Sequence, residues 1–109
     1  MAFAIEAQET AITTATTTDI LDARAGATDE ARVKAGMITI RNKGAADNLI
    51  TLIKDVSATD YEITEFTLKA EEEWVNPMEI VCNGTTDKIQ LTTSSTSAID
   101  VVVSYVEKT

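Results

Sequence analysis

Six carboxylates crowd the middle of this chain: Asp60, Glu62 and Glu65, followed by the consecutive Glu71, Glu72 and Glu73. Convergent carboxylates can hold a hard cation such as calcium, or divide acid and base roles across a glycosidic bond. Neither chemistry fits the spacing. No Asp-rich calcium loop with a glycine at its turn accompanies these residues, and consecutive Glu side chains on a strand point to opposite faces. Only five aromatic residues exist to wall a sugar site. The expected state is a solvated acidic rim, with no metal and no cofactor.

The other reactive candidate is Cys82, the sole cysteine. A nucleophilic thiol needs a base or a cation to lower its pKa, and Cys82 is flanked by Asn83-Gly84 with no Lys or Arg nearby. Histidine, the side chain used most often for proton transfer near neutral pH, is missing entirely. Cys82 is therefore expected to be a buried structural thiol, and Cys82→Ser to retain function. Asn83-Gly84-Thr85 has the form of a glycosylation acceptor, but Asn-Gly is also a strong hairpin signal and is read here as a turn. No catalytic residues emerge. A scaffold or binding module is expected rather than an enzyme.

The bulk charge narrows the partners. Eighteen Asp and Glu against nine Lys and Arg give a formal charge of −9, with the bases scattered along the chain. Binding nucleic acid relies on clustered bases that displace phosphate counterions, so no nucleic acid partner is expected. No stretch approaches the roughly 20 apolar residues of a membrane span. The apolar start is interrupted at Glu6 and lacks a basic leader, so no secretory signal is expected, and synthesis in a host cytoplasm is.

The elements that would position any site read as strands. Eighteen residues are threonine, whose β-branched side chain fits a pleated, half-buried surface and loses rotamer freedom in a helix. Thr10 to Thr16 reads as the first strand, preceded by an N-terminal arm over residues 1–9 that is expected to be mobile in the free protein. Deleting that arm is expected to leave the melting temperature almost unchanged. Asp19 to Asp22 is a short strand or a single turn, and residues 23–31 form a loop, with Thr28 placed to cap a helical turn. Val33 to Asn42 is a strand with Ile38 and Ile40 on one face. Asn48 to Lys54 has apolar residues on both faces, as in a central covered strand. In Tyr61 to Leu68 the apolar parity switches between Ile63 and Phe66, as at a β-bulge or where two short strands meet. Asn76-Pro77 marks a turn, and Met78, Ile80 and Cys82 share a face. Ile89 and Leu91 point inward, Thr93 to Ser97 is a polar turn, and Ile99, Val101, Val103 and Tyr105 share the last inward face.

About eight short strands separated every 8 to 12 residues by turn signals predict an all-β, antiparallel β-sandwich, with residues 10–109 as a single domain. The order of segments resembles one known group. A Thr-rich opening strand (Ile12 to Thr16) leads to Asp19-Ile20-Leu21 and then to the pair Ile38 and Ile40. A strand with Phe66, Leu68, Ala70, Glu72 and Trp74 at alternate positions follows, then Lys88 to Leu91 and a closing Val101 to Glu107. This resembles the small jelly-roll-like accessory proteins of tailed bacteriophage virions.

The resemblance implies a capsid decoration or cement protein on the outer surface of a virion. Its partner would be the major capsid protein, and it would often form a homo-oligomer, a dimer or trimer. Phe3 and Ile5, alternating in the arm, and Trp74 with Val75 at a sandwich end are the expected partner-binding residues, since Trp is enriched at binding hot spots. The second expectation is a receptor- or glycan-binding module of a phage fibre or tail, built on an aromatic platform of Trp74, Tyr61 and Tyr105.

Overall fold

Ten strands and no helices make up the computed structural model, which describes residues 2–95 and 98–109. Met1 of the expected arm, and Thr96 and Ser97 of the expected polar turn, lie outside the described residues. In chain order the strands are β1 (Phe3–Ile12), β2 (Thr17–Leu21), β3 (Glu30–Val33), β4 (Ile38–Asn42) and β5 (Asn48–Val56). They continue as β6 (Thr59–Leu68), β7 (Glu73–Val75), β8 (Ile80–Asn83), β9 (Asp87–Thr93) and β10 (Ile99–Lys108).

Two pairs of these strands are single strands interrupted. β4 and β3 lie end to end along one side of β10, pairing with Ile99–Val103 and Val106–Lys108 respectively. β7 and β8 continue the pattern beyond them. Merging each pair gives a sheet ordered β1, β10, β3/β4, β7/β8, which packs against a second sheet ordered β2, β9, β5, β6. That is the eight-strand, double Greek-key order of a jelly roll, with every pairing antiparallel.

The interruptions are held against each other by one side chain. Asn76, buried between β7 and β8, accepts from the Ile38 backbone N–H at 2.7 Å and donates to the carbonyls of Lys34 (3.2 Å) and Met78 (2.7 Å). The Gly36 N–H, in the turn between β3 and β4, donates to the Asn76 carbonyl at 2.9 Å. Gly36 sits at φ 86, a left-handed conformation that costs a residue with a Cβ about 1–2 kcal/mol. The predicted strand over 33–42 thus breaks at 34–37, where the chain must step sideways to keep both halves on β10.

The core lies between the sheets and includes the parity positions read from the sequence together with Ile12, Ile20, Leu21, Val33, Ile50, Leu52 and Leu68. Ile38, Ile40, Ile89, Leu91, Ile99, Val101, Val103 and Cys82 are buried, and Tyr105 and Ile80 nearly so. The parity switch is a bulge: Leu52 pairs with Thr64 and Ile53 with Glu62, so Ile63 is the extra residue. The Asn83-Gly84 turn links β8 to β9. Gly84 has φ 61, and a Cβ there would come within 2.7 Å of the Ala27 carbonyl oxygen.

Four expectations need correction. Residues 3–9 are not a detached arm: one strand runs from Phe3 to Ile12 and pairs residue for residue with β10, from Phe3 opposite Lys108 to Ile12 opposite Ile99. The strand expected over Thr10–Thr16 ends at Ile12, and 13–16 form the corner between the sheets. The inward positions Ala4, Glu6, Gln8 and Thr10 carry no large apolar group, which is why the pattern hid the strand. β5 is covered on one face only: Ile50 and Leu52 are buried, whereas Leu49 stays exposed on the outer side of its sheet. No helical turn forms after Thr28, because Asp29 is used otherwise, its carboxylate accepting from the Gly26 N–H at 3.0 Å.

Candidate interaction surface

Register decides which of the expected partner-binding residues share a surface. Opposed residues on neighbouring strands project to the same side. Ile12 faces Ile99, Thr10 faces Val101 and Gln8 faces Val103, so even-numbered β1 positions lie on the inner side of the sheet, with Ala4 and Glu6 exposed beyond the margin of the sandwich. Phe3, Ile5, Ala7, Glu9 and Ala11 therefore look outward. Ile5 is opposite Val106, and Glu9 is opposite Val102, followed by Thr39 and then Val75. Phe3, Ile5 and Val75 thus occupy one outer face, with relative exposures of 66%, 78% and 44%, and Val102 (39%) lies between them.

Trp74 points the other way. It is opposite Ile40, a core residue, and its ring stacks on Phe66 of β6 with centroids 4.6 Å apart and planes 20° from parallel. The stack joins the free edge of one sheet to that of the other and closes the sandwich on that side. Tyr105 is also inward. The Arg24 guanidinium lies 4.6 Å over its ring and pairs with Glu107 at 2.8 Å, while its other arm donates to the Asp22 carbonyl at 2.7 Å. Burial disfavours the Arg24 charge, but Tyr105 and Glu107 outweigh it, and the pKa rises above its ordinary value. With Gln8, whose side chain accepts from the Asp22 N–H at 3.0 Å, this closes the opposite side. Of the expected aromatic platform, only Tyr61 is exposed, on the other sheet.

The acidic residues disperse. Asp60 pairs with Asp55 across the β5–β6 hairpin, and the hydrogen bond between their side chains raises the Asp60 pKa above the usual carboxylate value. Glu65 accepts from Thr51 at 3.2 Å. Glu71 adopts φ 63 in a turn, Glu72 bonds back to the Lys69 N–H, and Glu73 pairs loosely with Arg41 at 3.9 Å. Among the described residues no group of three or more Asp, Glu or Cys side chains converges on a point that could hold a metal ion. Cys82 is buried, and desolvation pushes its thiol up to about 11.

No family model matches the sequence, and neither does any curated protein. Solved structures share the fold at low identity. A chain of the T13 IBDV viral particle superposes with a TM-score of 0.59 at 9% identity, covering 96% of this chain and 30% of that one. This chain thus spans under a third of that capsid protein. A subunit of the disulfide-linked pili of Bacillus endospore appendages gives 0.55 at 9% identity, covering 100% of this chain and 91% of that one. The Drosophila NLP-core, described for its pentamer formation and histone binding, gives 0.54 at 10% identity and covers 94% and 96% of the two chains. At such identities the likeness is one of fold. Sequence reasoning found the alternation of Phe3 with Ile5 but missed Val102 and Val106, because only the register of β1 on β10 brings them together.

Proposed function

We propose that this chain is a non-enzymatic structural subunit of an assembled protein shell. In its specific form it is a capsid decoration protein that docks on the major capsid protein of a bacteriophage virion, itself as a homo-oligomer. The observation that carries this reading is the outward apolar strip of Phe3, Ile5 and Val102 on a jelly-roll sheet, ending at Val75. Burying a side chain such as Phe3 or Ile5 contributes about 1.5–3 kcal/mol, and the effect multiplies over the repeated sites of a shell. The capsid and pilus subunits that share this fold support an assembly role. The charge of −9 suits an outer surface held away from packaged nucleic acid.

The test is cosedimentation of purified protein with undecorated capsids. Saturable binding at a fixed ratio to capsid subunits is expected, weakened at least tenfold in a Phe3→Ser/Ile5→Ser variant whose circular dichroism is unchanged, since about 1.4 kcal/mol corresponds to tenfold. Absence of saturable binding would overturn the decoration reading. A fibre module that binds a receptor or glycan is less supported, because Trp74 is engaged with Phe66 and Tyr105 with Arg24.

A further inference from the structure

A sandwich of two open sheets has four edges, and three of them in this chain carry a device against added strands. β2 is short and its pairing with β9 shifts register between Asp19 and Leu21. β6 carries the Ile63 bulge, and β7/β8 is broken by Asn76-Pro77. Bulges, short strands and proline are the usual means of blunting an edge. β1 has none of these, and its only device against added strands is the pair of acidic side chains Glu6 and Glu9. It runs ten residues without a register shift, has no Pro, Lys or Arg, and pairs with β10 alone.

Its backbone is poised for pairing. Ala2 and Thr109 exchange both hydrogen bonds, at 3.3 and 3.0 Å. In an antiparallel ladder such pairs alternate with unbonded ones, so Ala4, Glu6, Gln8 and Thr10 bond to β10. Phe3, Ile5, Ala7, Glu9 and Ala11 then turn their N–H and C=O groups away from it, along the free edge. These are the same residues whose side chains form the outer face. One occupant would meet both the unpaired backbone and the apolar side chains.

Charge selects that occupant. Glu6 on the inner side and Glu9 on the outer side are the only charged residues of β1. The other edge strands, β2, β6, β7 and β8, hold Asp19, Asp60, Glu62, Glu65 and Glu73 but no Lys or Arg. A second copy therefore brings no base to Glu6 or Glu9 by edge pairing. We propose that the free edge of β1 accepts an extended strand of a partner protein in which apolar residues oppose Phe3, Ile5 and Ala7, and Lys or Arg opposes Glu6 and Glu9. This rests on the assembly reading above and names the chemistry of the partner at the same surface.

A labelled peptide, Thr-Lys-Thr-Val-Lys-Val-Thr-Val, places those residues in antiparallel register from Thr10 to Phe3, the direction of every pairing in the fold. Titrated with the full chain and followed by fluorescence anisotropy, it is expected to bind saturably. Replacing both Lys by Glu is expected to weaken binding about tenfold, since opposed and like charges differ at two cross-strand positions. Hydrogen exchange should slow at the Ile5, Ala7 and Glu9 amides on peptide binding. Ala7→Pro removes only an outward N–H, leaves the β10 ladder intact, and is expected to abolish binding. Should that variant fail to fold, Glu6→Lys/Glu9→Lys carries the test and is expected to invert the preference toward the Glu peptide.

Failure of the peptide to bind, or equal binding of both peptides, would overturn the inference. If capsids are still decorated in that case, the assembly reading stands and only strand addition falls. Peptide binding without capsid binding would do the reverse. A wild-type dimer that Ala7→Pro dissolves would make a second copy the occupant and refute the basic partner.

Discussion

Trp74→Ala tests whether this side chain belongs to the core or to the docking face. Truncating a fully buried Phe or Trp to Ala costs about 3–5 kcal/mol, and aromatic pairing adds about 0.5–1.5 kcal/mol beyond the area it buries. Trp74 is half-buried but stacks on Phe66 at 4.6 Å and covers the open side of the core. A loss of about 2–3 kcal/mol is therefore expected, which in a domain near 100 residues lowers the melting temperature by about 10 °C or more. The cleanest assay is a urea double-mutant cycle with Phe66→Leu, where a coupling of about 0.5–1.5 kcal/mol reports the stack itself. A Trp74→Ala protein that melts within about 2 °C of wild type would refute the reasoning by showing that the stack holds nothing together. If that same protein also lost capsid binding, Trp74 would return to the interface.

Three further outcomes follow from the interior. Val101→Asp places a carboxylate in the centre of β10, where Val101 is 1% exposed, and should destabilise the domain by several kcal/mol in urea titration, or about the loss of an aliphatic plus a buried charge. Asn76→Ala leaves the Ile38 N–H and the Lys34 and Met78 carbonyls without their partner, and a loss of about 2–4 kcal/mol in chemical denaturation is expected. Burial raises the Cys82 thiol to about 11, so its protonated form is favoured in the folded state. That contribution is complete below the unfolded thiol's pKa and disappears as pH rises toward about 11, so stability should fall across this alkaline window, less steeply in Cys82→Ala.

The sequence carried the interior well because burial writes itself as alternation. Ile89 with Leu91, and Ile99 with Val101, Val103 and Tyr105, were assignable because each lies on a strand with one face to the core and one to water. The irregularity between Ile63 and Phe66 showed as a single parity slip, which the pairing resolves as a bulge at Ile63. β1 escaped for the opposite reason. Its inner positions sit at the margin of the sandwich, where β2 stops at Leu21, and so Glu6 stays exposed and Gln8 is only half-buried. Without an apolar inner face the alternation of Phe3 with Ile5 read as a free arm, although the backbone pairs along the full length of β10. The break in the strand over 33–42 was equally silent, since its cause is the partner break at Asn76, far away in sequence.

Only Phe3, Ile5 and Val75 of the outer face could be read from local pattern, because the rest is made by register between segments about one chain length apart. Val102 and Val106 look like surplus apolar residues on β10 until β1 is laid beside them. They then continue a strip that begins at Phe3 and Ile5. Isolated exposed apolar side chains are ordinary on a soluble domain, whereas Phe3, Ile5 and Val106 meeting on one face beside a straight ten-residue edge strand are not. The same chain that breaks, bulges or shortens three of its edges leaves the fourth straight and sets its most exposed large apolar side chains along it. Protection elsewhere shows that this sequence has the means to close an edge. Under the strand-addition proposal, leaving β1 open would concentrate association at one place, with Glu6 and Glu9 to discriminate among strands that could add there.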